Sequence, residues 1–365
     1  MINPAILNKN ALRVATIGCG RMGASVRPQV ERWAPAHLRD TTHLSAVRAL
    51  GIAKSLAAAD LSQELLYMAR ESFALDACYT DYVRMLKDFE PELLTIATRT
   101  PLKARILEEA ICQGIRAIHV EKPLCNTEAE RRHLADLFAS PNLFVSSGCL
   151  RRYAGPYLAA RDWFAADAEG AAQDISISLG CAPLAWTQFH AVDLALFFAG
   201  DRKVAYVQAN LHDVVREGDT VINDPVVQSI VIGFDDGLVA RIGQGCGANV
   251  CLSKAQGQYD LFSDGHQLLR GAKAEPEDPY LRKTMTPVGS GVLSGTQAPI
   301  AQIAGALQGD SGCRVETQRN MEDFLVAQHV CFAALVSDAN DGRRTPLDNV
   351  PESFCFLGKT GELYA

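Results

Sequence analysis

Val14-Ala15-Thr16-Ile17-Gly18-Cys19-Gly20-Arg21-Met22-Gly23 decides how the chain begins its fold. An apolar, β-branched run enters a glycine cluster with G-x-G-x-x-G spacing, and Ala24 to Trp33 reads as the helix that follows. Strand, glycine turn and helix is the order a dinucleotide-binding turn needs. Gly18 permits the tight turn, Gly20 lets the backbone approach a pyrophosphate, and Gly23 lets helix and strand pack closely, with Cys19, Arg21 and Met22 completing the turn. The helix N-terminus then offers N–H groups and a positive dipole end to the phosphates. The spacing alone also fits an ordinary βα turn; its place after a strand and before a helix favours the nucleotide.

The chain around this stretch has 365 residues, more than one core usually holds, so two domains are expected. Apolar residues make up 48% and charged residues 21%, as in a globular protein in water. A net charge of −7 without a basic block argues against nucleic acid or an anionic membrane as partner. No window reaches the ~18 uninterrupted apolar residues of a membrane span. The first ten residues lack a secretory-signal pattern, and the expected location is the cytoplasm. The eleven cysteines are odd in number and contain no C-x-x-C. Cys19, Cys78, Cys112, Cys149 and Cys331 lie in apolar runs, as buried thiols do, and neither a disulfide frame nor a metal site is expected.

Outward from the glycines, strands are expected at Leu12–Ile17, Ser55–Asp60, Leu93–Ala97, Ala117–Val120 and Leu143–Ser147. Helices are expected at Leu61–Phe73, Leu102–Gln113 and Thr127–Phe138, with Gly114 ending the second and a Thr127/Glu130 capping box opening the third. The region from Ala24 to Lys54 is longer than one crossover helix needs and is expected to hold an inserted turn around Pro35 to Thr42. This alternation over residues 1–150 is that of a doubly wound parallel α/β sheet. Asp60 closes the second strand, where a carboxylate accepts from a ribose 2′-hydroxyl and repels a 2′-phosphate; this favours NAD over NADP. Asp60 stands further past the glycines than the usual spacing of about 20 residues, which Asp40 meets better. Asp40, however, follows no apolar run.

The glycine turn, Asp60, Ile96-Ala97-Thr98, Glu121-Lys122-Pro123-Leu124 and a downstream His-x-x-Asp together resemble the glucose–fructose oxidoreductase / inositol dehydrogenase (Gfo/Idh/MocA-like) family. The resemblance implies an NAD(P)-dependent dehydrogenase acting on CH–OH groups, with Thr98, Glu121 and Lys122 beside the cofactor and Lys122 contacting the substrate hydroxyl. By position alone Lys122 reads more readily as a surface strand-end lysine paired with Glu121. Strand carboxyl ends are nevertheless where open α/β sheets bind ligands, and an amine beside a positive ring can share in proton transfer.

In residues 151–365, expected to be a substrate-binding and oligomerisation domain, Arg151 matches a family arginine that faces substrate, with Arg152 as a scaffold ion-pair partner. Asp174–Leu179, Val204–Leu211, Val226–Phe234 and Leu238–Gln244 alternate as half-buried strands do and imply a large, mostly antiparallel sheet, open on one face. Such a face needs cover, so a homo-dimer or homo-tetramer is expected. Gln188 to Gly200 resembles the family's His-x-x-Asp helix. His190 is the expected general acid/base, and Asp193, on the same helical face, anchors the helix or orients the ring. Two positions depart from the family pattern. Trp186 stands where many members carry an aspartate that completes a Lys–Asp–His set, and is expected to stack on a sugar face. Lys103 stands where many have histidine. Residues 271–297 read as a long polar loop of unassigned role. The resulting expectation is hydride transfer between NAD and a sugar, cyclitol or related polyol. The alternatives are redox-neutral sugar elimination on bound NAD, prompted by Trp186, and a non-catalytic dinucleotide or sugar sensor.

Overall fold

The structure, a computed structural model, describes residues 7–9, 11–25, 32, 35–39, 42–287, 293 and 295–359. Most of the helix expected after Gly23, and Asp40, lie outside the described residues.

The chain forms two compact units, and each is described by itself. The first comprises Met1–Cys125, Arg132–Ala154 and Gly291–Phe324; the second comprises Asn126–Arg131, Gly155–Ser290 and Leu325–Ala365. The division therefore differs from a single cut after residue 150. Residues near the C-terminus return to the first unit because the helix Gln297–Leu307 is apolar on nearly every side, and its buried Ile300, Ile303 and Ala304 join the core that also holds Val14, Leu44 and Phe144.

The first unit is built on β1 (Leu12–Ile17), α1 (His43–Leu50), β2 (Ala53–Ala59), α2 (Gln63–Phe73), β3 (Ala77–Tyr79), α3 (Tyr82–Phe89), β4 (Leu93–Ile96), α4 (Lys103–Cys112), β5 (Ala117–Val120), α5 (Glu128–Phe138, of which the residues from Arg132 on belong to this unit) and β6 (Phe144–Ser147). Its six strands are all parallel in the order β3-β2-β1-β4-β5-β6, the doubly wound sheet expected. Side-chain caps start the helices: Thr42 accepts from Ser45, Ser62 from Leu65, and Asp81 from Val83 and Arg84. The Thr127/Glu130 capping box is present, its two bonds 3.0 and 3.1 Å long.

One face of this sheet changes character along the strands. Leu12, Val14, Leu56, Leu93, Ala117 and Phe144 fill its lower part with apolar volume. Nearer the carboxyl ends, Thr16, Thr95, His119 and Ser146 stand side by side in register on β1, β4, β5 and β6. Thr16 and Thr95 share a hydroxyl hydrogen bond of 2.9 Å, as do His119 Nδ1 and Ser146 Oγ. All four residues are buried. Paired polar groups are tolerated in such a core where lone ones are not.

The second unit contains α6 (Gly155–Ala165), β7 (Ala172–Leu179), α7 (Phe189–Ala199), β8 (Val204–His212), β9 (Arg216–Glu217), β10 (Thr220–Asn223), β11 (Val226–Phe234), β12 (Val239–Gly243), β13 (Ala248–Lys254), β14 (Gly257–Phe262), β15 (Gln267–Ala272), β16 (Arg282–Thr286) and β17 (Cys355–Lys359). Eight strands form one sheet in the order β16-β15-β14-β13-β7-β12-β11-β8, antiparallel except where β7 meets β12. Ile175, Ile177 and Leu179 of β7 are buried while Ser176 between them is exposed, the half-buried alternation expected. The sheet is larger than the sequence suggested: β13, β14, β15 and β16 were not foreseen, and β16 lies inside the supposed 271–297 loop. Its Arg-Lys-Thr-Met-Thr has no apolar alternation, because an edge strand needs only backbone pairing on one side.

All eleven cysteines lie among the described residues, and none is in a disulfide. Cys19, Cys149 and Cys331 are buried as expected, but Cys78 and Cys112 are exposed, which corrects that reading. Cys78 sits on the edge strand β3, and Cys112 is the last residue of α4.

Candidate functional site

The glycine turn has the geometry its three glycines were expected to need. Gly18 has φ +92°, a conformation that side chains disfavour. A Cβ on Gly23 would run into the Gly18 carbonyl oxygen, whereas a Cβ on Gly20 would meet nothing within 4 Å. The turn is thus packed shut beneath Gly23 and open above Gly20, a cradle that fits the close approach of a dinucleotide backbone. Thr98 adds a second mark of fit, since its buried Oγ1 has no hydrogen-bond partner among the described residues. The Thr98 amide lies against Gly18, where a Cβ would come within 3.2 Å of it.

Asp60 follows β2 directly. Its carboxylate accepts from the Cys19 N–H at 2.7 Å and from the Ser62 N–H at 2.8 Å, so the acid is held against the turn itself. A carboxylate accepts about four hydrogen bonds, which leaves capacity for a ribose hydroxyl. The Cys19 thiol is buried, and burial, Asp60 and Cys78 push it up to about 12, so it is no nucleophile. Arg21 and Met22 are half-buried in the turn, and the Met22 carbonyl accepts from the His43 N–H at 2.8 Å.

Gly18, Asp60, Thr98 and Lys122 thus follow the carboxyl ends of β1, β2, β4 and β5 of one parallel sheet. That edge is the one where open α/β sheets receive ligands. At the E-K-P corner Lys122 is half-buried, while Glu121 turns inward, with its carboxylate over Gly148 and its Oε1 3.3 Å from His43 Nε2. Burial would raise the Glu121 carboxyl. The His43 hydrogen bond and the pull of His43, His119 and Lys122 override it and hold the group below the usual carboxylate range. Burial, helped by His43 and opposed by Glu121, brings the His119 imidazole down to about 3, so it is neutral. Lys103 is buried beside them, its amine donating to the carbonyls of Lys122 and Pro123.

His43, His119 and Glu121 each bring one ligand atom within 4.8 Å of the others. They are one donor short of a closed tetrahedral set, and the nearest pair is already a hydrogen bond. The chemistry of the set fits a buried polar network better than a structural metal. Neither His43 nor the Thr16–Thr95–His119–Ser146 row was foreseen. The strand residues interrupt apolar runs one at a time, and only strand register lines them up.

Two arginines follow β6. Arg152 takes the scaffold role, with its guanidinium 2.7 Å from Asn320 and 3.0 Å from Asp323. Arg151 is half-buried beside it.

In the second unit, α7 carries His190, half-buried, and Asp193, buried, and ends at Gly200 with φ +71°. Trp186 lies in the turn Leu184–Gln188 that leads into α7. The Asp224 carboxylate, which the sequence reading missed, accepts from the N–H groups of Ala185 and Trp186 at 2.7 and 3.0 Å. An acid absent from position 186 is thus supplied to the same turn from a loop; its only trace in the sequence is the turn-forming Asn223-Asp224-Pro225.

Residues 12–149 match the family model GFO_IDH_MocA, described as an oxidoreductase family with an NAD-binding Rossmann fold. The resemblance read from the glycine turn and the E-K-P corner is borne out over those residues. No curated protein sequence matches the chain. Among solved structures the chain is similar to an NAD binding oxidoreductase from Klebsiella pneumoniae (TM-score 0.70, 17% identity, 92% of this chain and 99% of that one). It is also similar to an oxidoreductase from Desulfitobacterium hafniense described as NADPH-dependent (TM-score 0.72, 17% identity, 93% and 99%). A third is levoglucosan dehydrogenase in complex with NADH (TM-score 0.67, 17% identity, 93% and 99%). At these identities the likeness is one of fold. Among the described residues no helix is long and apolar enough to cross a membrane.

Proposed function

We propose, from the premise that residues 12–149 are the NAD-binding Rossmann domain of the GFO_IDH_MocA oxidoreductase family, that the protein transfers a hydride between a sugar, cyclitol or related polyol and the nicotinamide of NAD. The observation that carries this reading is the common edge on which Gly18, Asp60, Thr98 and Lys122 stand. Gly18 to Gly23 would hold the pyrophosphate, Asp60 the ribose, and Thr98 and the Glu121-Lys122 corner the nicotinamide end. Asp60 favours NAD because a carboxylate repels a 2′-phosphate. Bound NAD supplies the hydride acceptor. The chain's own part would be proton management: the His190 imidazole, helped by the Lys122 amine, would take the hydroxyl proton as the carbon is oxidised and return it in the reverse direction. Arg151 offers a planar donor fork to hydroxyls, Trp186 a stacking face, and Asp193 orients His190. Levoglucosan dehydrogenase structures with levoglucosan and with L-sorbose, similar in fold, support the substrate class. A second reading, sugar elimination without net redox change, is favoured by Trp186 in the place of an acid.

The test is NADH formation from NAD with myo-inositol, D-glucose, levoglucosan and L-sorbose, with NADP in parallel, for the native protein and Lys122→Ala. The expected result is NADH with at least one compound, and a Lys122→Ala variant that binds NAD normally and loses turnover by about 10²–10⁴-fold. Near-native turnover in the variant overturns the role of Lys122. Consumption of sugar with co-purified NAD and no net NADH supports the second reading.

A further inference from the structure

We propose that Lys103 is the positioning residue of Lys122: its buried amine fixes the two backbone carbonyls of the E-K-P corner, and its charge is coupled to that of the Lys122 amine. This rests on the reading of Lys122 as the proton-handling amine. Lys103 is the first residue of α4 and only 2% exposed. Its Nζ donates to the Lys122 carbonyl at 3.1 Å and to the Pro123 carbonyl at 2.9 Å. With both carbonyls pinned, the peptide planes that flank this turn are set, and Lys122 keeps its side-chain torsions as its main freedom. Placement of this kind matters, because a displacement of about 1 Å at a reacting group can cost on the order of 10²-fold in rate.

Bonding alone does not account for an amine at this place. Lysine is almost never fully buried without an ionic partner, and burying its charge is costly. A neutral amide could make the same two bonds. What an amine adds is charge. Burial pushes the Lys103 amine down to about 7, with Glu121 opposing, and Lys122 and Cys125 the other groups acting on it. An amine bonded to the Lys122 backbone carbonyl stands near enough to the Lys122 side chain for the two charges to act on each other, and groups so placed titrate as a coupled pair. While Lys103 is protonated it disfavours the protonated form of Lys122, and so favours the free amine able to accept a hydroxyl proton.

The experiment is trace acetylation of the intact protein by acetic anhydride from pH 6 to pH 9, with the rate at Lys122 read by mass spectrometry for native, Lys103→Met and Lys103→Gln. Acetic anhydride reacts with the free amine, so the rate follows the unprotonated fraction of Lys122. In both variants the Lys122 reactivity below pH 7 is expected to fall roughly threefold or more, and to converge on the native rate near pH 9 as Lys103 loses its proton. In the turnover assay, Lys103→Gln is expected to retain kcat better than Lys103→Met, with the KM for NAD unchanged in both. Circular dichroism and NAD binding confirm that the variants are folded; if Lys103→Met does not fold, Lys103→Gln alone decides. Unchanged Lys122 reactivity in the folded variants overturns the inference. A shifted Lys122 profile in a protein that oxidises no polyol sinks the function proposed above and leaves the coupling standing.

Discussion

His43 Nε2 lies 3.3 Å from Glu121 Oε1, with both side chains buried in the first unit. The pair joins the two motifs the chain is built around. His43 opens α1, and its backbone N–H bonds the Met22 carbonyl of the glycine turn, while Glu121 begins the E-K-P corner. The glycine turn and the E-K-P corner are thus linked through one buried contact. Removing the histidine leaves the buried Glu121 carboxylate short of a hydrogen-bond partner, at a cost of about 1–3 kcal/mol. His43→Phe is accordingly expected to lower stability by that order in urea unfolding, and to weaken NAD binding by loosening Glu121, whose carboxylate it holds. A variant as stable as the native protein would show the contact to be idle.

The same cluster sets an acid response. The His119 imidazole titrates at about 3 in the fold and near its ordinary 6.5 when unfolded, so the unfolded chain takes up the proton first. Stability is therefore expected to fall as pH drops from about 6.5 toward 3. Glu121, held below its ordinary value, adds a loss in the lower part of that window. Urea midpoints at a series of pH values should fall more gently for His119→Gln than for the native protein, by at most about 1.4 kcal/mol per pH unit. Parallel curves would contradict it.

The two turn glycines should separate cleanly. Gly23→Ala places a methyl against the Gly18 carbonyl and is expected to lower the melting temperature and abolish NAD binding together. Gly20→Ala has open space on that side, so it should leave melting unchanged while weakening NAD by roughly tenfold or more, about 1.4 kcal/mol. Calorimetric titration with NAD, next to thermal melts, reads both. Equal effects in both readouts would mean that Gly20 serves the fold and not the cofactor.

Asp60→Ser removes the carboxylate proposed to hold the ribose. The ratio of NADP to NAD affinity is expected to rise by roughly tenfold or more, with some loss for NAD because the Cys19 and Ser62 amides lose their carboxylate acceptor. Titrating the native and variant proteins with each dinucleotide checks it; an unmoved ratio would place the 2′ discrimination elsewhere.

Asp224→Ala strips the acceptor from the Ala185 and Trp186 amides at the turn before α7. Leaving buried donors unpaired is expected to cost about 1–3 kcal/mol in urea unfolding. If His190 is the acid/base, the variant should also lower kcat, while Trp186→Phe, which keeps both amides, should act mainly on the KM for sugar.

The chain's sequence by itself determined the doubly wound sheet, the glycine turn, the acid after β2, the E-K-P corner and the His-x-x-Asp helix. Each is written in local spacing: apolar runs of strand length, glycines where the backbone must turn or pack, and caps three residues apart. Tertiary structure alone decided that Gly291–Phe324 returns to the first unit, that an exposed polar segment forms the edge strand β16, and that Asp224 reaches the turn before α7. It alone also gathered His43, Lys103, His119 and Glu121 behind Lys122. His43, Lys103 and the His119/Glu121 end of β5 are far apart in the chain, and neither His43 nor His119 stands out in its own segment. Strand register and helix docking set which polar groups become neighbours, and burial then gives those neighbours their energy.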